Sequence, residues 1–246
     1  MKIIPLSEGS FTIDSSKTFI PFNQESDNLN SRSIGSLLVE VQPFVIITSS
    51  DIILLDAGLG FNVNGGLQIY QNLKSNGIEP HQISKVLVSH LHKDHAAALG
   101  LKNQFNQYQL SFPNATYYIQ KQEFDFAMQK GFPSFSIDEI SFLEHSSQVV
   151  WLKGSGLVTN NIYCEITSAH SPFHQVFWIK ENEEILFFGG DDAPQLQQMK
   201  NKFVAKYDFN GRKAMQLRQQ WLIQGKKEGW IFLFYHDIKT PIHKFK

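Results

Sequence analysis

The sequence predicts an α/β protein: two stacked sheets with helices on their outer faces. Two observations point there. Strand-like and helix-like segments alternate along the whole chain, and they fall into two strand-rich halves that each carry helices. With 246 residues, 42% of them hydrophobic and 18% charged, the chain has the length and composition of a globular protein with a large core. No repeat, low-complexity tract or long linker interrupts it, so a single domain spanning 1–246 is expected.

Ser36–Val41, Phe44–Thr48 and Ile52–Leu55 are β-branched and apolar and are bounded by Pro, Ser or Gly, which predicts an antiparallel meander. Leu67 to Ser75 has helical spacing and ends at Gly77, a C-terminal cap. Lys85–Ser89 is a short buried strand. Thr116–Ile119 reads as strand, Lys121–Gln129 as helix, and Ile137–Glu144 as a second helix capped by Ser136. Val149–Leu152, Tyr163–Ile166, Gln175–Ile179 and Ile185–Phe188 make up the second strand-rich half. Asn210–Gln224 is the clearest helix. Ala214, Leu217, Trp221 and Leu222 share one face, and Arg212, Lys213 and Arg218 are assigned to a solvated one. Ile231–Tyr235 is the last buried strand.

Composition excludes several partners. A net charge of −1 and a pI near 6.8 leave no broad positive field for a nucleic-acid backbone. The single cysteine, Cys164, sits in a strand and is expected in the core. The Met1-Lys-Ile-Ile-Pro start lacks a secretory pattern, and no apolar run nears the roughly 20 residues of a membrane span. A cytoplasmic location, no membrane and a small-molecule partner are therefore expected.

The chemistry is concentrated in Ser89-His-Leu-His-Lys-Asp-His95. It follows an apolar strand, where site residues gather. His90 and His92 are two apart, so in an extended segment both can reach one ion. Asp94 and His95 enter the next turn and can face a second position, and Ala96–Leu99 then open a short helix. His170, Asp191 and His236 each follow a strand-like run, the Asp after a glycine pair suited to close approach. Five imidazoles and two carboxylates are enough for two divalent ions, zinc first, with manganese, iron and cobalt the other candidates. His81, His145 and His243 lie in polar surroundings and are expected at the surface.

These motifs resemble the metallo-β-lactamase superfamily of hydrolases. The family's Asp-x-Gly is Asp56-Ala57-Gly58, its His-x-His-x-Asp-His is residues 90–95, and its Gly-His-Thr-Pro-Gly resembles Ala169-His170-Ser171-Pro172-Phe173. The Gly-Asp motif is Gly190-Asp191 and the last histidine is His236. The resemblance implies an αββα four-layer sandwich with a dinuclear metal site at one edge. It implies His90, His92 and His170 around the first metal, Asp94, His95 and His236 around the second, and Asp191 bridging both. Asp56 would orient the site without binding metal. His174 matches a position that is often His but is not a ligand, and Asp192 is read as a turn or supporting residue.

The expected activity is hydrolysis of a small ester, lactone or related compound by a metal-bridging hydroxide, with Asp94 as the catalytic carboxylate that orients it or passes its proton on. Phosphodiesterase, nuclease or thioesterase chemistry on the same scaffold is the alternative, and a di-iron redox protein a further one. The pattern departs from the family in places. Family members acting on acyl-homoserine lactones often carry a Tyr soon after the bridging Asp, where this chain has Asp192-Ala-Pro-Gln195. Tyr207 and Tyr235 are read as core or surface residues. Phe173 replaces a common Gly and would narrow or grease the cleft. Phe19, Phe22, Phe61, Phe132 and Phe135 fall in apparent loops and are read as packing onto the sandwich. No motif in the sequence marks a substrate-binding residue.

Overall fold

The computed structural model describes residues 1–245. Its frame is two six-stranded sheets. The first runs in the order Lys2–Pro5, Phe44–Ile47, Ile52–Leu55, Lys85–Leu87, Thr116–Gln120 and Val149–Leu152. The second runs Gly156–Thr159, Ile162–Ile166, Gln175–Glu181, Glu184–Phe188, Ile231–Leu233 and Ile242–Lys244.

Period-two side-chain alternation sorts these strands into layers. Phe44, Ile46, Ile53, Leu55 and Leu87 face inward against Ile162, Phe177, Ile179, Leu186, Phe188 and Leu233 of the second sheet. Their neighbours Val45, Leu54, Val86 and Val88 face outward, into a cluster with Ile69 and Leu73 of helix Gln68–Ser75 and Phe124 of helix Lys121–Lys130. On the other side Val176, Trp178, Phe187 and Phe232 meet Trp221 of helix Gly211–Glu228. Gly225 lets that helix come close, because a Cβ there would lie 2.3 Å from Phe232 Cζ. Three apolar layers between four layers of structure make the αββα sandwich that the sequence predicts.

Four expectations about elements are corrected. Phe44–Ile47 and Ile52–Leu55 do pair antiparallel, but Leu37–Val41 leaves the meander and pairs with Gly9–Ile13 in a separate three-stranded sheet. Val149–Leu152 joins the first sheet, parallel to Thr116–Gln120, instead of the second half. Ile137–Glu144 is one short α-helix, Ile137–Ile140, followed by a 3-10 turn over Ser141–His145, and Ser136 makes no side-chain cap. Arg218 is not solvated: it is 1% exposed. Ala214 and Trp221 are buried on the predicted face, with Leu217 and Leu222 packed beside them. Cys164 is buried in its strand. His81 and His145 are exposed, and His243 is half-buried.

The pairing of Ile52–Leu55 with Lys85–Leu87, and of Glu184–Phe188 with Ile231–Leu233, is parallel. Asp56, His90, Asp191 and His236 therefore emerge at the carboxyl ends of parallel neighbours, the edge where open α/β sheets bind ligands. No helix among the described residues is long and apolar enough to cross a membrane.

Candidate metal centre

The chain leaves Lys85–Leu87 through Ser89 and His90, and His92 stands at the entrance of a one-turn helix, Lys93–Ala96. That turn brings Asp94 and His95 round to the same edge. His90, His92, His170 and Asp191 offer ligand atoms all within 4.8 Å of one another, and Asp94, His95 and His236 form a second such group. Every residue singled out from the sequence as a metal ligand falls into one of the two.

Asp191 lies between them. Its Oδ2 is 3.2 Å from His170 Nε2 and 3.9 Å from His90 Nε2. Its Oδ1 is 3.2 Å from His95 Nε2 and 3.0 Å from His236 Nε2. Asp94 Oδ2 stands 3.6 and 3.5 Å from those same two nitrogens.

The outward hydrogen bonds fix which ring nitrogens face the centre. Ser89 Oγ donates to Asp56 Oδ2 at 2.7 Å and so accepts from His90 Nδ1 at 3.0 Å. His95 Nδ1 donates to Asp56 Oδ2 at 2.7 Å, His170 Nδ1 to Asp208 Oδ1 at 2.9 Å and His236 Nδ1 to the backbone oxygen of Glu40 at 2.6 Å. Each of these four rings thus turns an Nε2 lone pair inward, the pattern of metal-bound imidazoles. His92 turns Nδ1 inward, 2.9 Å from His90 Nε2 and 3.1 Å from His170 Nε2.

These dimensions fit cations. Two nitrogens bound tetrahedrally at 2.0–2.1 Å sit about 3.3 Å apart. His95 Nε2 and Asp191 Oδ1 are buried and have no hydrogen-bond partner, a costly condition unless a cation meets them. Electrostatics agree. Burial, with the neighbouring His95, holds His90 well below its ordinary pKa, and burial with His170 does the same to His92. Burial is the largest single influence and opposes charge on His95 and His236, but Asp191 and Asp94 together outweigh it and raise both. Asp191 is itself held well below the carboxylate range: burial works against its charge, and His236, His95 and His170 prevail. The cluster demands positive charge at its centre, as protons or as metal.

Asp56 is wholly buried and takes Ser89 N–H at 2.7 Å, Ser89 Oγ–H and His95 Nδ1–H. The glycine pair works differently from expectation. Gly190 has φ +48°, and a Cβ there would lie 2.8 Å from His174 Nε2 and 2.9 Å from Ser89 Cβ. The close approach is to the protein's own frame.

Several contributors carry no local sequence signal. Asp208 follows Tyr207 in an irregular stretch and is nevertheless the partner of His170. Asp192 accepts His170 N–H at 2.7 Å through Oδ1. Arg218 reaches from its helix to donate to the backbone oxygens of Asp192 and Phe203, at 2.7 and 2.6 Å. Glu123 is buried under the loops and accepts Leu91 N–H and Ser171 Oγ–H, both at 3.1 Å.

The centre opens into a cleft of about 620 Å³. His92, Asp94, His170, Asp191 and His236 form its floor. Ile13, Phe19, Leu38, Phe126, Phe135 and Phe209 contribute apolar walls. Phe22, Phe61 and Phe135 pack into the sandwich as expected, Phe19 packs against the inter-sheet core while also lining the cleft, and Phe132, 82% exposed, departs from the expected packing. Phe173 stays off the wall and backs Phe126, ring centres 6.1 Å apart. Tyr235 is core: its ring stacks on His95 at 4.0 Å and its hydroxyl donates to the backbone oxygen of Asp94 at 2.6 Å. Tyr207 is neither core nor plain surface. It lines the cleft beside His170 and Asp208.

The fold and site define an αββα protein with two adjoining groups of His and Asp side chains and the Asp191 carboxylate between them. Residues 39–189 match the metallo-beta-lactamase superfamily, and the chain belongs to it. Among curated relatives it is 27% identical to the N-acyl homoserine lactonase AttM of Agrobacterium fabrum over 158 residues, 59% of this chain and 56% of that one. It is 25% identical to the N-acyl homoserine lactonase AiiA of Bacillus thuringiensis subsp. kurstaki over 172 residues, 70% of this chain and 63% of that one. The aligned parts thus span less than two thirds of either relative. A crystal structure of a probable metal-dependent hydrolase from Staphylococcus aureus superposes with TM-score 0.80 at 20% identity, covering 100% of this chain and 92% of that one. The dizinc quorum-quenching lactonase AidC, solved with a product, gives 0.73 at 18% identity, with 99% and 90% coverage. These structural likenesses speak for the fold.

Proposed function

We propose that the chain acts as one domain and is a hydrolase with two divalent cations, zinc first among them. His90, His92 and His170 would hold one ion and Asp94, His95 and His236 the other, with Asp191 shared through its two oxygens. Two such ions supply, when bound, a water acidic enough to attack at neutral pH and positive charge to meet the oxygen anion developing on the substrate.

The chain's own residues do the rest. Asp94 sits on the cleft floor, where its carboxylate can orient the attacking water and carry a proton toward the leaving group. Tyr207, its phenol pushed up to about 12 mainly by burial and by Asp191, stays protonated and can donate to a substrate oxygen. The Phe-lined walls exclude water and take an apolar portion of the substrate. A lactone or ester bearing an acyl chain suits this shape, and the lactonases among the relatives favour the same class.

The observation that carries the reading is Asp191, one oxygen toward each ligand group, on the floor of an apolar cleft. Purified protein should contain two equivalents of metal and open N-acyl homoserine lactones faster than it cleaves phosphodiesters or thioesters. A preference for a phosphodiester in that panel would overturn the substrate assignment.

A further inference from the structure

The segments that line the cleft also carry apolar side chains that the rest of the described chain leaves uncovered. Phe132 is 82% exposed, Phe209 65%, Ile20 53%, Val204 45% and Phe203 42%. They come from three separate segments: the strand Phe19–Pro21, the turn after helix Lys121–Lys130, and the stretch between helices Leu196–Lys200 and Gly211–Glu228. Phe19, Phe203 and Phe209 line the one cleft. Lys93 Nζ stands 5.8 Å from the ring centres of both Phe19 and Phe132, which places the third segment on the same rim.

Lysines flank every one of these apolar tips. Lys17 precedes Phe19, Lys130 precedes Phe132, and Lys202 and Lys206 bracket Phe203 and Val204. Across residues 17–21, 130–135 and 200–209 there are five lysines and a single acid, Asp208. Its carboxylate is engaged by His170. In a chain with net charge −1, this is a local concentration of positive charge.

We propose that this rim docks the protein onto an anionic lipid surface, with the cleft opening toward the headgroups. Apolar tips between lysines combine the two attractions an interface offers: burial of side chains at the headgroup boundary and attraction to anionic lipid. Irregular loop tips need no shape-matched partner there, whereas a protein partner would. A second copy of the chain would bring an identical ring of lysines face to face, which repels. The lack of a spanning helix among the described residues is no obstacle, since loop tips reach only the boundary. The apolar walls run into the rim, so an acyl chain would pass from lipid to cleft without crossing bulk water; that last point rests on the proposed function, while the docking does not.

Co-sedimentation of the intact, metal-loaded protein with vesicles tests it. Binding to phosphatidylcholine vesicles containing phosphatidylglycerol should exceed binding to phosphatidylcholine alone by roughly tenfold at low salt, and collapse at high salt. The variant Phe132→Ser/Val204→Ser/Lys202→Glu/Lys206→Glu alters none of the residues lining the cleft. It should lose that binding and keep its circular dichroism spectrum and its turnover of a short-chain soluble ester. Failure of the unmodified protein to bind either vesicle, or equal binding by the variant, overturns the proposal. So does light scattering that shows a dimer which Phe132→Ser/Val204→Ser dissociates, because the rim would then be an interface between copies. Vesicle binding is read without any hydrolytic assay, so a wrong substrate assignment leaves this result intact.

Discussion

His174 Nε2 accepts the backbone N–H of Asp191 at 3.2 Å. The ring's Nδ1 stands 3.0 Å from Asp192 Oδ2, and the whole side chain is buried. A residue that does not face the centre therefore sets the peptide from which the Asp191 carboxylate hangs. His174→Ala should keep the seven inward-facing side chains yet lower metal affinity or activity by about 10–100-fold, the usual cost of losing a supporting partner. Chelator competition together with steady-state rates measures it; unchanged affinity and turnover would remove His174 from the site.

Asp208→Asn offers a parallel test on the other side. The carboxylate that orients His170 through Nδ1 would become a neutral amide, weakening the first ligand group by about 10–100-fold in affinity. The expected result, read by metal analysis, is one tightly held equivalent of metal where the proposed site of the unmodified protein would hold two.

Asp191→Ala should abolish turnover without unfolding the chain, since the carboxylate is a ligand-type group and not a packing one. Full activity in that variant would end the bridging account.

Arg218→Met should destabilise the fold by about 1–3 kcal/mol, because the buried carbonyl oxygen of Asp192 loses its donor and the partly buried one of Phe203 loses a second. Urea unfolding reads this directly. Arg218→Lys should recover only part, since one ammonium cannot reproduce the fork.

Glu8 gives a pH signature. It is 6% exposed, its Oε2 accepts Leu59 N–H at 2.6 Å, and burial pushes its carboxyl up to about 8. The folded chain therefore keeps a proton that the unfolded chain releases above about pH 4.5. Its contribution to stability is complete below that pH and is lost as pH rises through 8. Thermal midpoints between pH 5 and pH 8 should fall less in Glu8→Gln than in the unmodified protein. Parallel curves would mean that Glu8 is ionised throughout.

The ligand-type side chains that the fold gathers were legible in the sequence because their signals are local. Residues 90–95 pack four ligand-type side chains into one turn after a buried strand, and Asp191 and His236 repeat the strand-end placement. Period-two apolar runs likewise announced most of the strands. Pairing was less legible: Leu37–Val41 and Val149–Leu152 have clear strand composition, but composition does not say which sheet takes them. Arg218 misled because helical periodicity assigns a charge to a face without knowing that a loop lies across it.

By itself the sequence determined the alternating α/β layering and which ligand-type side chains stand at strand ends, since backbone periodicity and side-chain chemistry are properties of short segments. Only the tertiary structure decided what holds those residues and what surrounds them. Asp208, Arg218, Glu40 and the lysine-ringed rim act through neighbours far away in the chain, and burial, which gives a lone carboxylate or guanidinium its force, exists only once the layers have closed.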